Sequence, residues 1–175
     1  MELPDKLVTS DGKEVFIIPE IKEHLLAHAD VVEFLEEAVE KLEMPDGIMW
    51  IGVAVSLGRI VGTSNLVKVE EVLPGQKTFF AKRIAHEFPT HVALNREGEQ
   101  CDSITVEIKY NKNDKRYFLN TAYVGFPCPD EPFYIADKES NEFKESLGFW
   151  RRHALVYDEK IMEPVFEAAW EDVLG

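Results

Sequence analysis

The sequence predicts an α+β fold, an antiparallel β-sheet packed by N-terminal helices and a C-terminal helix. Three observations predict it. Apolar residues recur at helical spacing near both ends of the chain. The middle is rich in short apolar runs bounded by Gly, Pro and Asn. Two of those runs alternate around a four-residue polar turn. The chain has 175 residues, 45% of them hydrophobic, which suits one domain with one core. The expected division is a single domain over 1–175: a helical part over about 19–44, a strand-rich part over about 48–157 and a C-terminal helix over about 163–174.

In chain order, Val15 to Ile18 reads as a short strand, and Pro19 fits the first turn of a helix whose stripe is Ile21, Leu25 and Leu26. Asp30 is placed to cap a second helix, with Glu33 three residues on. Val31, Phe34, Leu35, Ala38, Val39 and Leu42 form that helix's apolar face, and Pro45-Asp46-Gly47 ends it. Met49 to Val55 is strand-like, Gly58 and Gly62 punctuate, and Asn65 to Val72 and Thr78 to Arg83 follow as strands. Ile104, Val106 and Ile108 alternate with Thr105, Glu107 and Lys109. Asn111 to Asp114 then turns the chain into a returning strand, Tyr117 to Val124. Pro127 to Pro132 is an irregular loop. Phe149 to Tyr157 is a core segment ending in a strand from His153, and Pro164 opens a final helix striped by Val165, Phe166, Ala169, Trp170 and Val173.

The formal net charge is −14, which repels a polyanion. It is unevenly placed. Residues 19–46 carry −7, residues 158–175 carry −5 and the first 18 carry −2, whereas residues 47–157 hold 14 charges of each sign. A neutral middle segment can present a positive face to phosphate, with the acidic segments kept away from it. No apolar run reaches the ~20 residues that cross a bilayer, and no basic start leads into an apolar stretch. The expectation is therefore a cytoplasmic protein without a membrane partner, with Cys101 and Cys128 as free thiols.

No phosphate-cradling glycine loop, H-E-x-x-H or G-x-S-x-G is present. His24 and His28 have zinc-compatible spacing but no marked third ligand, so no metal and no cofactor are expected. Glu107 and Lys109 form the E-x-K tail of a metal-dependent nuclease strand without its upstream acid. More informative are Lys82 and Arg83 with His86 and His91 beyond them, Thr121 and Tyr123 on one strand face, and His153 after the pair Phe149-Trp150. Metal-free RNA cleavage needs a base for the 2′-OH, an acid for the leaving oxygen and a cation for the phosphorane. His, Lys and Arg supply these types.

Gly62-Thr63-Ser64-Asn65-Leu66-Val67, Phe80-x-Lys82-Arg83, Tyr117 to Gly125, Glu131-Pro132 and Phe149-Trp150-x-x-His153-Ala154-Leu155 resemble an uncharacterised group of bacterial and phage-associated proteins. That group is distantly similar to the barnase and colicin-type toxin RNases. The resemblance implies helices on an antiparallel sheet and a metal-free endoribonuclease acting on RNA. It points to catalytic candidates among His153, Arg83, Lys82, Thr121 and Tyr123. Two alternatives remain open. One is a non-enzymatic interaction module of immunity or phage-regulatory type, docking a protein partner on its acidic helices. The other is a metal nuclease built on Glu107 and Lys109.

Overall fold

A computed structural model describes residues 3–26 and 29–175. The chain opens with strands β1 (Lys6–Val8) and β2 (Glu14–Phe16), then helices α1 (Pro19–Leu26) and α2 (Ala29–Lys41). Strands β3 (Trp50–Ser56), β4 (Gly62–Ser64), β5 (Leu66–Lys68), β6 (Lys77–Lys82), β7 (Pro89–Ala93) and β8 (Glu99–Cys101) follow. The long strands β9 (Ser103–Asn111) and β10 (Arg116–Val124) come next. The chain ends with a 3-10 turn (Pro132–Tyr134), α3 (Asn141–Trp150), β11 (His153–Val156), β12 (Phe166–Ala169) and α4 (Trp170–Leu174).

The α+β class holds, and the chain divides into two compact units, each made of two chain segments. The first is Met1–Ser64 with Gln100–Pro127, and the second is Asn65–Glu99 with Cys128–Gly175. Each has a five-stranded sheet, ordered β1-β2-β10-β9-β3 in the first unit and β12-β6-β7-β11-β5 in the second. Most neighbours are antiparallel as expected, but each sheet contains one parallel pair, β2 with β10 and β7 with β11.

The first unit follows from its patterns. Ile104, Val106 and Ile108 are buried at 0–1% exposure, and the expected β9–β10 hairpin forms with one irregularity between Leu119 and Thr121. The α2 face Val31, Leu35, Ala38, Val39 and Leu42 joins the same core, with Phe34 packed against it. Gly125 closes the β10 end at φ +116°, where a Cβ would come 2.7 Å from Ser64 Oγ, so only glycine fits. Asp30 is not the cap expected of it. The helix already includes Ala29, so Asp30 sits in the first turn, where its charge suits the helix dipole.

The second unit departs further from expectation. Phe149 and Trp150, expected in a core segment, form the end of α3, a helix not expected, and the expected strand from His153 follows as β11. Ser140 caps α3 by accepting from Phe143 N at 3.1 Å, and Phe143, Ser146 and Trp150 are buried along one side. The helix expected over about 163–174 forms only from Trp170 onward. Phe166–Ala169 is strand, laid antiparallel on β6 with Phe166 opposite Phe80. Glu163 N has already joined Lys82 O at 2.8 Å, so the sheet edge captures the segment. The expected strand Asn65 to Val72 shortens to Leu66–Lys68. The core of this unit gathers Val72, Phe80, Trp150 and Trp170, with Ala81, Val92 and Met162 in a second cluster.

Candidate functional site

The end of β6 is fixed from both sides. Lys82 pairs with Pro89 of β7, a strand-start position that proline tolerates. Arg83 bridges to Met162, and Ile84 N donates to Ile161 O at 3.0 Å. The chain then turns through Arg83-Ile84-Ala85-His86, closed by His86 N donating to Arg83 O at 3.0 Å. Ala85 takes φ +68°, a left-handed conformation that costs a non-glycine residue.

Arg83 Nη2 donates to Glu131 Oε1 at 2.6 Å. Glu131 is 6% exposed and immediately precedes the Pro132–Tyr134 turn. Its loop is clamped by α3. Ser146 Oγ donates to Asp130 O at 2.6 Å and Trp150 Nε1 to Pro129 O at 3.2 Å. Burial pushes the Glu131 carboxyl up, opposed by the Arg83 charge and then by the Thr90 hydroxyl. Burial and then the Arg83 charge push His86 down. Arg83 Nε and Thr90 Oγ1 are buried without a well-formed hydrogen bond among the described residues.

His153 opens β11, two strands from β6 across β7, roughly 10 Å at ordinary strand spacing. The parallel register, Leu155 opposite Val92, puts His153 level with Thr90, which faces Ala81. By alternation Arg83, Thr90 and His153 share one sheet face and Lys82 lies on the other, as expected of neighbouring strand residues. The His153 ring stacks on Phe149, centroids 3.9 Å apart, and its Nδ1 lies 2.9 Å from Phe149 O, an acceptor, so Nδ1–H donates. His91 has a different place. Its Nδ1 lies 2.8 Å from both Trp150 O and His153 O, so that nitrogen carries the proton, and Nε2 accepts from Thr78 Oγ1 at 2.8 Å. It is a 2%-exposed tie between β7, α3 and β11.

Of the five residues singled out from sequence, Lys82, Arg83 and His153 therefore lie near one end of the second sheet. Thr121 and Tyr123 belong to β10 of the first unit, opposite Glu107 and Thr105. Glu107 Oε2 accepts from Asn120 Nδ2 at 3.3 Å. No group of three or more His, Cys, Asp or Glu able to hold a metal occurs among the described residues. Of the histidine pair on the N-terminal helix, His28 lies outside the described residues.

Beside Arg83 the second unit has a cleft of about 770 Å³. Arg83, Arg96, Lys160, Asn65, Asn95 and Tyr157 line it, and so do Glu97, Asp158 and Glu159. Asp158 and Glu159 begin the acidic C-terminal segment, which the charge partition had placed away from any phosphate-binding face. Sequence reading missed Glu131 as the partner of Arg83. The two are 48 residues apart and no local pattern links them. Asn95 carried a faint signal, since left-handed turn positions favour asparagine, and it stands at φ +51°.

No helix among the described residues is long and apolar enough to cross a membrane. No family model matches the sequence, and no curated protein or solved structure matches it either.

Proposed function

We propose that this protein is a metal-free endoribonuclease whose working end is the Arg83 end of the second unit's sheet. The observation that carries the reading is Arg83 itself, held against buried Glu131 at 2.6 Å with His86 on the turn directly after it. In such a reaction the 2′-oxygen attacks phosphorus, the bond to the 5′-oxygen breaks and a 2′,3′-cyclic phosphate forms. One group takes the 2′-OH proton and another gives a proton to the 5′-oxygen. Arg83 is the cation for the phosphorane. His86 and His153, the latter on the same sheet face as Arg83, are the imidazoles for the two proton transfers. Glu131 acts through Arg83 as a positioning residue, because a buried carboxylate fixes the guanidinium before substrate arrives.

Single-stranded RNA incubated with the protein and EDTA should be cleaved to 2′,3′-cyclic phosphate ends. Arg83→Ala, His86→Ala and His153→Ala, each assayed well below its melting temperature, should lower the rate about a hundredfold or more. Absence of cleavage, or full activity in all three folded variants, refutes the reading.

A further inference from the structure

We infer that the cleft of the second unit seats one nucleobase of single-stranded RNA against Tyr157; the inference rests on the reading of the Arg83 end as RNA-directed. The cleft, at about 770 Å³, lies in the range of sites that hold a nucleotide-sized ligand. Its lining supplies the three features such a ligand requires. Tyr157 is the aromatic surface. It is half-buried, its N–H donates to Ala93 O at 3.0 Å and its hydroxyl to Glu163 O at 3.4 Å, so the ring is held from both ends. Asn65 and Asn95 are exposed, and among the described residues neither side-chain amide has a hydrogen-bond partner. An amide both donates and accepts, as does the edge of an unpaired base. Arg83 and Lys160 are the cations for the attached phosphate.

The charge of the cleft separates this ligand from a simple polyanion. Glu97, Asp158 and Glu159 balance Arg83, Arg96 and Lys160. Arg96 is also occupied, donating to Lys68 O and to Glu99 Oε1. A neutral cleft gains little from dense phosphate charge, as in a duplex. It can gain from stacking and edge contacts to a base that is already unpaired.

Calorimetric titration with the four nucleoside 3′-monophosphates, ribose 5-phosphate and inorganic phosphate tests the assignment. At least one nucleotide should bind tenfold or more tighter than ribose 5-phosphate, on the scale of base–aromatic stacking. Tyr157→Leu should abolish that margin without changing phosphate affinity, and Tyr157→Phe should keep it. Arg83→Ala should weaken nucleotide and phosphate alike. Nucleotides binding no tighter than ribose 5-phosphate, or a margin that survives Tyr157→Leu, overturn the assignment. If Tyr157→Leu does not fold, Asn65→Ala and Asn95→Ala carry the test, and an unchanged preference among the four bases in both overturns it. Base-dependent binding without cleavage would remove the nuclease reading and leave this site standing. Cleavage without base-dependent binding would do the reverse.

Discussion

The two units carry the same charge and spend it differently. The first has 16 acidic and nine basic residues and the second 17 and ten, a net of −7 each. In the first unit the perturbed carboxylates lie at the rim and are held down. Arg59, with Lys41, brings Glu37 to about 2, and Lys13, with Thr9, brings Asp11 to about 2. Its buried hydroxyls are bonded, Thr105 to Gly125 O at 2.6 Å and Ser103 to Asp102 at 2.8 Å. In the second unit a carboxylate and an imidazole, Glu131 and His91, are inside. The four buried side-chain polar atoms without a well-formed hydrogen bond among the described residues, on Arg83, Thr90, Arg151 and Trp170, belong to it as well. Total charge therefore does not locate function here. What separates the units is where their polar groups lie, at the surface and paired in the first, and partly inside in the second.

The contrast can be broken most directly at its ion pairs. Arg83→Ala leaves Glu131 buried and uncompensated, and should cost about 3 kcal/mol. Arg59→Ala removes an arginine–carboxylate pair of similar length, 2.5 Å, but both partners are open to solvent and the melting temperature should barely move. Chemical denaturation of the two variants checks this. Equal losses would mean that burial does not separate the units.

A second test uses pH. His91 is held below its ordinary value by burial, so the unfolded chain takes up the proton first as pH falls. Stability should decline as pH drops below about 6.5 and level off once the folded imidazole also titrates. His86 adds the same sign. Glu131 is raised, so its contribution is full below the unfolded carboxyl value and fades as pH rises through the folded one. The lowered acids of the first unit act in a separate, more acidic window, where Asp11 and Glu37 lose their contribution as pH falls toward about 2. Stability measured from pH 8 to 4 should therefore lose its near-neutral slope in His91→Asn, whose amide can still donate and accept. A slope that persists unchanged would assign it elsewhere.

What could be read in the sequence follows the same division. The β9–β10 hairpin and the α2 stripe are local periodicities facing an ordinary core, and both form. Lys82, Arg83 and His153 were visible as residue types beside apolar anchors. The α3 helix was missed because Phe149-Trp150 reads only as an apolar anchor before the strand at His153, although Ser140, Phe143, Ser146 and Trp150 had the spacing of a cap and a buried face. The last segment has helical periodicity from Val165 to Val173, yet half of it pairs with β6, because an open sheet edge outweighs a marginal helix. Glu131 comes to Arg83 only through a loop held by α3, so without α3 the pair could not be foreseen.

The smallest expected effect is the sharpest probe of stored strain. Ala85 at φ +68° in the second unit and Lys115 at φ +53° in the first are non-glycine residues in left-handed turns. Glycine relieves the steric cost at either position but makes the unfolded chain more flexible. Ala85→Gly and Lys115→Gly should each stabilise by about 0.5–1 kcal/mol. The turns differ in what they carry. Lys115 closes the hairpin between Asn111 and Arg116, a connection with no candidate chemistry. Ala85 sits between Arg83 and His86 and fixes their mutual position. If strain there keeps His86 presented, Ala85→Gly gains stability and loses RNA cleavage, the usual exchange at a working site. Lys115→Gly should gain stability and keep its activity. Melting curves and rates for the pair decide it, and equal rates in both variants would show that the left-handed alanine is a turn like any other.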